Sequence, residues 1–194
     1  MKVIGFNASP RKNANTMTLV EAVLKGAADK GAETRLVNLN QLNIKGCQGC
    51  EVCKKKPGQC ATKDDLSPLL VEMKDCDAII LGTPIYWFHV SAQIKMLIDR
   101  FYCYMGHETS PETGEESTFS TFPGGKKFVI VTSQGDAVPE MYQQTLDWLN
   151  LVTTIMSASS TEFVTHCGSE NDKSSARNNA EMMAKARSIG ESLV

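Results

Sequence analysis

The amino-acid sequence predicts a doubly wound α/β fold, in which helices cover both faces of a parallel sheet and give three layers. Short apolar runs typical of buried strands alternate with segments whose apolar residues recur at helical spacing. Apolar runs without an alternating polar face indicate strands covered on both sides, as parallel strands are. Five such runs suit the strand order 2-1-3-4-5, in which ligands bind beyond the carboxyl ends of the strands.

The predicted strands are short, and the segments between them are long enough for crossover helices. The strands lie at residues 2–6, 33–39, 78–83, 127–132 and 162–166. The predicted helices lie at residues 16–30, 91–104, 139–156 and 171–193, with a further helix that starts after Asp64. The apolar residues of that further helix share one face, at positions i, i+3, i+4 and i+7, and are Leu66, Leu69, Leu70 and Met73.

Length and composition favour one domain spanning residues 1–194. A chain of 194 residues, 42% of them hydrophobic, can bury a full core without disulfide bonds. Two segments interrupt the alternation: a cysteine-rich loop at residues 43–63 and a polar, aperiodic insertion at residues 107–125. Long loops in compact domains are usually functional or disordered, so we expect the insertion to lie over a binding site or at a subunit contact.

Charge and hydropathy argue against several functional classes. The 20 basic and 22 acidic residues leave no excess of positive charge for binding nucleic acid. No apolar run approaches the roughly 18 residues of a membrane span, and the N-terminal run is too short for a signal peptide. We therefore expect a cytoplasmic protein whose seven cysteines stay reduced. The lack of HExxH and nucleophile-elbow motifs argues against a hydrolase.

The loop after the first predicted strand has the composition of an anion site. It joins a strand to a helix, where backbone amides and the helix dipole attract anions. It contains neither GxGxxG nor GxxxxGK[ST]. Its hydroxyl, amide and guanidinium groups suit one phosphate and belong to Ser9, Arg11, Asn13, Asn15 and Thr16. The alternative is that Ser9, Asn15 and Thr16 only cap the helix.

Two further segments supply candidate binding residues at the same edge of the sheet. The third strand leads into an aromatic run that can stack on a flat ligand: Pro84, Ile85, Tyr86, Trp87 and Phe88. The alternative for these aromatic residues is packing in the core or at an interface. The fourth strand leads into a turn that offers backbone donors and small side chains: Thr132, Ser133, Gln134, Gly135 and Asp136.

The first loop, Asn-Ala-Ser-Pro-Arg-Lys-Asn-Ala-Asn-Thr, resembles the Gly-Ser-x-Arg…Asn-Thr phosphate loop of NAD(P)H-dependent FMN reductases, which have a flavodoxin-like fold. The matching positions are Ser9, Arg11, Asn15 and Thr16. Ala8 and Ala14 stand where the family usually has glycine. The resemblance implies that this loop binds the phosphate of FMN and that residues 84–88 and 132–136 surround the rest of the cofactor. It also implies that NAD(P)H is a cosubstrate and that FMN, rather than a protein side chain, carries the chemistry.

Four cysteines form the pattern C-x2-C-x2-C-x6-C, namely Cys47, Cys50, Cys53 and Cys60. Two-residue spacers let successive thiolates converge on one metal centre, as in bacterial ferredoxins. Zinc sites more often use two separated C-x2-C pairs. The spacing therefore favours an iron–sulfur cluster, with structural zinc or unmetallated thiols as alternatives. The remaining cysteines are expected in the core, and they are Cys76, Cys103 and Cys167.

Together with the phosphate loop, this cysteine pattern resembles the iron–sulfur flavoproteins of anaerobic microbes. The resemblance implies a 4Fe-4S cluster near FMN in a homodimer or homotetramer. It also implies electron transfer between NAD(P)H or ferredoxin and small acceptors such as quinones, oxygen or peroxide. Two other functions stay open, a non-catalytic electron carrier like flavodoxin and a zinc-stabilised flavin-binding module that regulates a partner.

Overall fold

The fold is taken from a computed structural model that describes residues 1–194. The strands are β1 (Lys2–Asn7), β2 (Glu33–Asn38), β3 (Ala78–Tyr86), β4 (His89–Val90), β5 (Met105–Thr109), β6 (Glu116–Ser120), β7 (Lys127–Ser133) and β8 (Ser160–His166). Five of them form a parallel sheet in the order β2-β1-β3-β7-β8, and β4 pairs antiparallel with the end of β3. Counted over the parallel strands alone, this order is 2-1-3-4-5, so the predicted fold class and strand order are confirmed.

Helices cover both faces of the sheet and give three layers. They are α1 (Asn15–Asp29), α2 (Val52–Lys55), α3 (Leu66–Asp75), α4 (Ala92–Arg100), α5 (Gln143–Ile155), α6 (Ser175–Asn178) and α7 (Ala180–Ser192). Alternate strand residues point to opposite faces and form two apolar clusters. One cluster includes residues of α1 and α7, and the other includes residues of α3, α4 and α5. No helix combines the length and the apolar character required to cross a membrane.

The carboxyl ends of β1, β3 and β7 meet at one edge of the sheet. The parallel register pairs Asn7 with Gly82 and Pro84 with Ser133. A Cβ atom at Gly82 would overlap the Val20 side chain and press on Thr16, both in the first half of α1. Because Gly82 has no side chain, α1 lies close to the sheet, which places the loop before α1 beside the ends of β3 and β7.

The insertion at residues 107–125, predicted as an aperiodic loop, contains most of a β-hairpin, so that prediction was wrong. Strands β5 and β6 pair antiparallel with Gly106 opposite Phe119, and a Cβ atom at Gly106 would overlap the Phe119 ring. The paired strands are largely exposed and polar. They therefore lack the alternation of apolar and polar residues by which a half-buried strand is recognised.

Several predicted boundaries also shift. Strand β3 continues through Tyr86, because the chain then folds back into β4. The helix predicted at residues 171–193 is two helices, since Asn179 Oδ1 accepts a hydrogen bond from the Met182 amide at 2.9 Å and caps α7. The helices predicted at residues 91–104 and 139–156 each include a 3-10 turn, Phe101–Tyr104 and Pro139–Tyr142.

Helices α1 and α7 cross in direct backbone contact. A Cβ atom at Gly26 would overlap the carbonyl of Arg187, and one at Gly190 would overlap the carbonyl of Val23. These two glycines therefore set the distance between the helices, and α7 fixes the helix that follows the candidate phosphate loop.

We expect Gly190→Ala to destabilise the protein, although alanine normally favours a helix by about 1 kcal/mol over glycine. The added methyl group would collide with the Val23 carbonyl, and such overpacking typically costs about 1–3 kcal/mol. Chemical denaturation measures the difference. Ser188→Ala, at an exposed position of α7, is the control and should change stability by less than about 0.5 kcal/mol. A Gly190→Ala protein as stable as the wild type would contradict the close crossing.

Candidate functional site

A cavity of about 220 Å³ opens where β1, β3 and β7 end. Its lining consists of Ser9, Arg11, Ala14, Asn15, Thr16, Pro84, Ile85, Tyr86, Ser133, Gly135, Ser169, Glu170 and Lys173. All three predicted segments contribute to it. The predicted contact residues outside the lining are Asn13, Trp87, Phe88, Thr132, Gln134 and Asp136.

The loop between β1 and α1 is shaped by its own polar groups. The Ser9 amide donates to Asn7 Oδ1 at 3.2 Å, and the Arg11 amide donates to Ser9 Oγ at 3.2 Å. Arg11 itself is exposed and forms no ion pair within the chain, so its guanidinium is available to an anion. Asn13 has φ +54° and, with Lys12, lines a second cavity that Ser9 and Arg11 also border.

The alternative that Ser9, Asn15 and Thr16 cap α1 is not supported. The residue before α1 is Ala14, and no side chain caps the helix. Asn15 instead donates to the Asp172 carbonyl at 2.7 Å and accepts from the Ala176 amide at 3.0 Å. The Thr16 and Ser133 hydroxyls lie 2.7 Å apart. Thr16 thus joins the start of α1 to the end of β7, and Asn15 joins it to the loop after β8.

A buried network that sequence reasoning missed joins the loop between β1 and α1, the candidate phosphate loop, to α4. Ser91 Oγ donates to the Ala8 carbonyl at 3.1 Å, and the Ser91 amide donates to Thr83 Oγ1 at 3.0 Å. Thr83 and Ser91 are both almost fully buried. The only local sequence signal is a serine before a helical pattern, which predicts a cap but gives no hint of the contact with Ala8.

The aromatic run divides between the cavity and the surface. Tyr86 lines the cavity, whereas Trp87 and Phe88 form the two-residue turn between β3 and β4. Their φ angles are +47° and +67°, which suits a tight hairpin but strains large side chains. Trp87 is 92% exposed and Phe88 65% exposed. Packing in this chain's own core is therefore excluded for these two rings, and the interface alternative stays open.

The turn after β7 holds its shape through the predicted residues that do not line the cavity. Thr132 Oγ1 donates to Thr165 Oγ1 at 3.1 Å, and Gln134 Nε2 donates to the Val138 carbonyl at 2.8 Å. Asp136 Oδ1 accepts from the Val138 amide at 2.7 Å. These three side chains support the turn from which Ser133 and Gly135 face the cavity.

The segment after β8 completes the cavity and was missed, because Lys173 was predicted as helix and the residues before it carry no motif. It contributes Ser169, Glu170 and Lys173. Ser169 Oγ donates to the Gln134 carbonyl at 2.7 Å, which joins this segment to the turn after β7. At the end of β8, where this segment begins, His166 Nε2 lies 2.8 Å from Ser175 Oγ. Burial lowers the pKa of His166, although the charge of Asp172 opposes this shift.

The cysteine segment, residues 43–63, contains only the short helix α2. Cys47 and Cys50 are exposed, Cys60 is half-buried and Cys53 is buried. Burial raises the pKa of the Cys53 thiol, although the charge of Lys54 opposes this. Burial, with the nearby thiols of Cys60 and Cys53, raises the pKa of Cys103 to about 12. Cys76 and Cys103 are buried, in agreement with a role in the core, whereas Cys167 is only partly buried.

The donor set suits an iron–sulfur cluster, because four thiols lie within fourteen residues and Arg100 Nε donates to Cys60 Sγ at 3.1 Å. In the arrangement described, however, no group of three or more cysteine, histidine or acidic side chains is placed to bind a metal ion. Residues 46–50 belong to no helix or strand. Cys47 and Cys50 can therefore approach Cys53 and Cys60 without breaking secondary structure.

This chain matches a known protein family and several known proteins. The model of the NADPH-dependent FMN reductase family matches residues 1–160. An iron-sulfur flavoprotein of Methanocaldococcus jannaschii is 46% identical over 100 residues, which cover 52% of this chain and 51% of that protein. A quinone-type NAD(P)H dehydrogenase of Archaeoglobus fulgidus is 30% identical over 124 residues, or 61% of this chain and 62% of that protein. The chain spans about half the length of the iron-sulfur flavoproteins that it matches.

Solved structures with the same fold include an NAD(P)H:quinone oxidoreductase from Methanothermobacter marburgensis. The TM-score is 0.72 at 18% identity, with 100% of this chain and 99% of that chain covered. At this identity the likeness establishes the fold alone, which is flavodoxin-like.

We expect the cysteines of metal-free, reduced protein to react with iodoacetamide in order of exposure. Cys47 and Cys50 should be modified first, and Cys76 and Cys103 at least about tenfold more slowly, because burial both shields these thiols and raises their pKa. Quenched labelling followed by peptide mass spectrometry measures each rate. Unfolded protein in urea is the control and should lose the differences. If Cys103 reacted as fast as Cys50 in folded protein, the described packing of the 3-10 turn after α4 would be wrong.

Proposed function

This chain belongs to the NADPH-dependent FMN reductase family, and we propose that it is an FMN-dependent oxidoreductase with an iron–sulfur cluster in its cysteine segment. The observation that carries the proposal is the cavity at the ends of β1, β3 and β7. The exposed guanidinium of Arg11, the start of α1 and the Pro84–Tyr86 segment all border this one space. An anion site beside an apolar wall suits a cofactor with a phosphate at one end and a flat ring at the other.

Each bordering segment has a distinct role in this proposal. Arg11 would pair with the phosphate of FMN, and backbone amides at the start of α1 would add hydrogen bonds. Pro84, Ile85 and Tyr86 would orient the ring, with Ser133 and Gly135 on the turn opposite them. Lys173 adds a second cation at the border of the cavity. Bound FMN would supply the redox chemistry, because a flavin exchanges electrons in pairs as hydride or singly.

The cysteine segment supports the cluster part of the proposal through its ligands. Thiolates are the ligands of iron–sulfur clusters, and the first three of these cysteines have the C-x2-C-x2-C spacing of bacterial ferredoxins. The iron-sulfur flavoproteins that match this chain carry the cluster in their names. We propose that Cys47 and Cys50 move toward Cys53 and Cys60 when a 4Fe-4S cluster assembles.

The electron donor and the electron acceptor are part of the same proposal. We propose NAD(P)H or ferredoxin as electron donor and a small molecule such as a quinone, oxygen or peroxide as acceptor. The exposed Trp87 and Phe88 at a strained turn beside the cavity support a contact between copies of the chain in a homodimer or homotetramer. The second candidate is a flavodoxin-like electron carrier, which the lack of a nicotinamide-binding fingerprint favours.

We expect one FMN to bind per chain and NADPH to bleach the absorbance of the bound flavin under anaerobic conditions. Arg11→Ala should weaken FMN binding by about 10- to 150-fold, because a charge-assisted hydrogen bond to phosphate contributes about 1.5–3 kcal/mol. Titration of each apoprotein, followed by quenching of flavin fluorescence, measures the affinity.

The matched control is Lys12→Ala, which removes the neighbouring cation that does not line the cavity. Its affinity for FMN should stay near that of the wild type. An equal loss in the two variants would mean that Arg11 attracts the cofactor only as one of several charges. Flavin that dithionite reduces but NADPH and NADH do not would favour the electron carrier.

We expect the four motif cysteines to act as one ligand set. After anaerobic reconstitution, a serine at any of positions 47, 50, 53 or 60 should abolish or destabilise the same iron–sulfide chromophore, because each thiolate would bind one iron. FMN should stay bound, since its proposed contacts lie on other loops. Iron, zinc and sulfide analysis with electron paramagnetic resonance measures the outcome.

The controls for the ligand set are Cys76→Ser, Cys103→Ser and Cys167→Ser, which should keep the chromophore if they fold. Wild-type protein that binds zinc, or no metal, after attempted reconstitution would contradict the cluster. The cysteines would then have a structural or thiol-redox role in a reductase that depends on FMN alone.

A further inference from the structure

Arg100, the last residue of α4, has a completely buried charged side chain. The exposed fractions of the Arg100 and Asp64 side chains are 0% and 4%, and Arg100 Nη1 lies 2.8 Å from Asp64 Oδ2. A guanidinium is rarely this buried unless it is paired and hydrogen-bonded. Burial disfavours the charged form of each side chain, but the hydrogen bond and the electrostatic attraction between the two outweigh this effect. The pKa of Asp64 is therefore lowered, and that of Arg100 raised.

The other hydrogen bonds of Arg100 reach both ends of the cysteine segment. Nη1 also donates to the carbonyl of Lys45 at 2.9 Å, two residues before Cys47. Nε donates to Cys60 Sγ at 3.1 Å, and Nη2 donates to the carbonyl of Thr62 at 3.2 Å. One rigid guanidinium thus joins the two ends of a segment that contains all four motif cysteines.

Asp64 extends the same junction. Its Oδ2 accepts the Lys45 amide at 2.9 Å, and its Oδ1 accepts the Leu66 amide at 3.2 Å at the start of α3. The entry to the cysteine segment, its exit and the following helix therefore share one buried ion pair. This arrangement fixes the position of Cys60 while leaving Cys47 and Cys50 exposed.

The lysines of the segment do not duplicate this role. Lys54 Nζ donates to the carbonyls of Tyr102 and Met105, and it lies 3.4 Å from the centroid of the Tyr102 ring. Arg100 is the one cationic side chain whose hydrogen bond is accepted by a cysteine sulfur in this structure.

We propose that Arg100 is a positioning residue for the cysteine segment: its guanidinium closes the segment at Lys45 and Thr62 and holds Cys60 through an N–H···S hydrogen bond. The inference rests on the proposed function, because it takes Cys60 to be a ligand of the cluster. Hydrogen bonds to ligand sulfur stabilise the more negative, reduced state of a cluster and so raise its reduction potential. Because lysine would keep the positive charge of Arg100, a lower potential in Arg100→Lys reports the lost N–H···S bond rather than a lost charge.

The first test needs no metal. Hydrogen exchange is followed by mass spectrometry in peptides that cover residues 42–47 and 59–65. In Arg100→Lys, which keeps the charge but loses the planar fork, exchange should speed up about tenfold or more at both ends of the segment. Cys60→Ala should speed it up only at residues 59–65. Arg35→Lys, an exposed arginine paired with Glu72, is the matched control and should change neither peptide.

The second test uses protein reconstituted anaerobically with iron and sulfide. The midpoint potential of the cluster, from a redox titration read by electron paramagnetic resonance, should fall in Arg100→Lys and stay at the wild-type value in Arg35→Lys. An unchanged potential in a loaded Arg100→Lys protein would overturn the role of the N–H···S bond.

The outcomes separate this inference from the proposed function. If the wild-type protein takes up no iron, the proposed cluster is contradicted. The hydrogen-exchange experiment would then decide whether Arg100 closes the cysteine segment. If folded Arg100→Lys exchanges at the wild-type rate at both ends of the segment, the inference is overturned even if the cluster assembles. If Arg100→Lys does not fold, Cys60→Ala decides, because unaltered exchange at residues 59–65 would show that the sulfur contact does not hold that end.

Discussion

The close approach of α1 to the sheet is the constraint on which the candidate cofactor cavity depends. Gly82 has no side chain to separate β3 from Thr16 and Val20, and the Thr16 hydroxyl then reaches that of Ser133 on β7. With α1 in that position, Asn15 holds the segment after β8 through Asp172 and Ala176. Four chain segments that are far apart in sequence are thus assembled around the N-terminus of one helix, the part of a helix that attracts anions.

The sequence alone was sufficient to predict the features that have a local, repeating pattern. Apolar runs predicted the five parallel strands, and the polar loops after β1, β3 and β7 could be placed at one edge because parallel strands end together. The hairpin of β5 and β6 was missed because each strand has a single large apolar side chain, Met105 or Phe119, and so shows no alternation. Ser91 and Arg100 were missed for another reason: their defining contacts, with Ala8 and with Lys45 and Cys60, are to residues 40 or more positions away. No periodicity encodes such a pairing.

The residues of the turn between β3 and β4 are not those that a tight turn normally favours. Tight two-residue hairpins favour Asn and Gly, yet Trp87 and Phe88 occupy both central positions with positive φ. Each such residue carries a strain on the order of 1–3 kcal/mol, and such strain tends to cluster at functional sites. Here the turn directly follows Tyr86 and exposes two aromatic rings to solvent. This combination is consistent with a turn whose role lies in contacts outside the single chain.

Helix α4 joins the two candidate sites. Just before its first turn, Ser91 bonds to Ala8 of the phosphate loop, and at its last residue Arg100 bonds to Cys60. The helix has nine residues, so these contacts are separated by about 14 Å along its axis. Both anchors are buried, and α4 packs its apolar face into the core between them. The separation between the phosphate loop and Cys60 is therefore fixed by one rigid element. In the proposed function, this helix would set the distance between the phosphate of the flavin and the Cys60 end of the cluster.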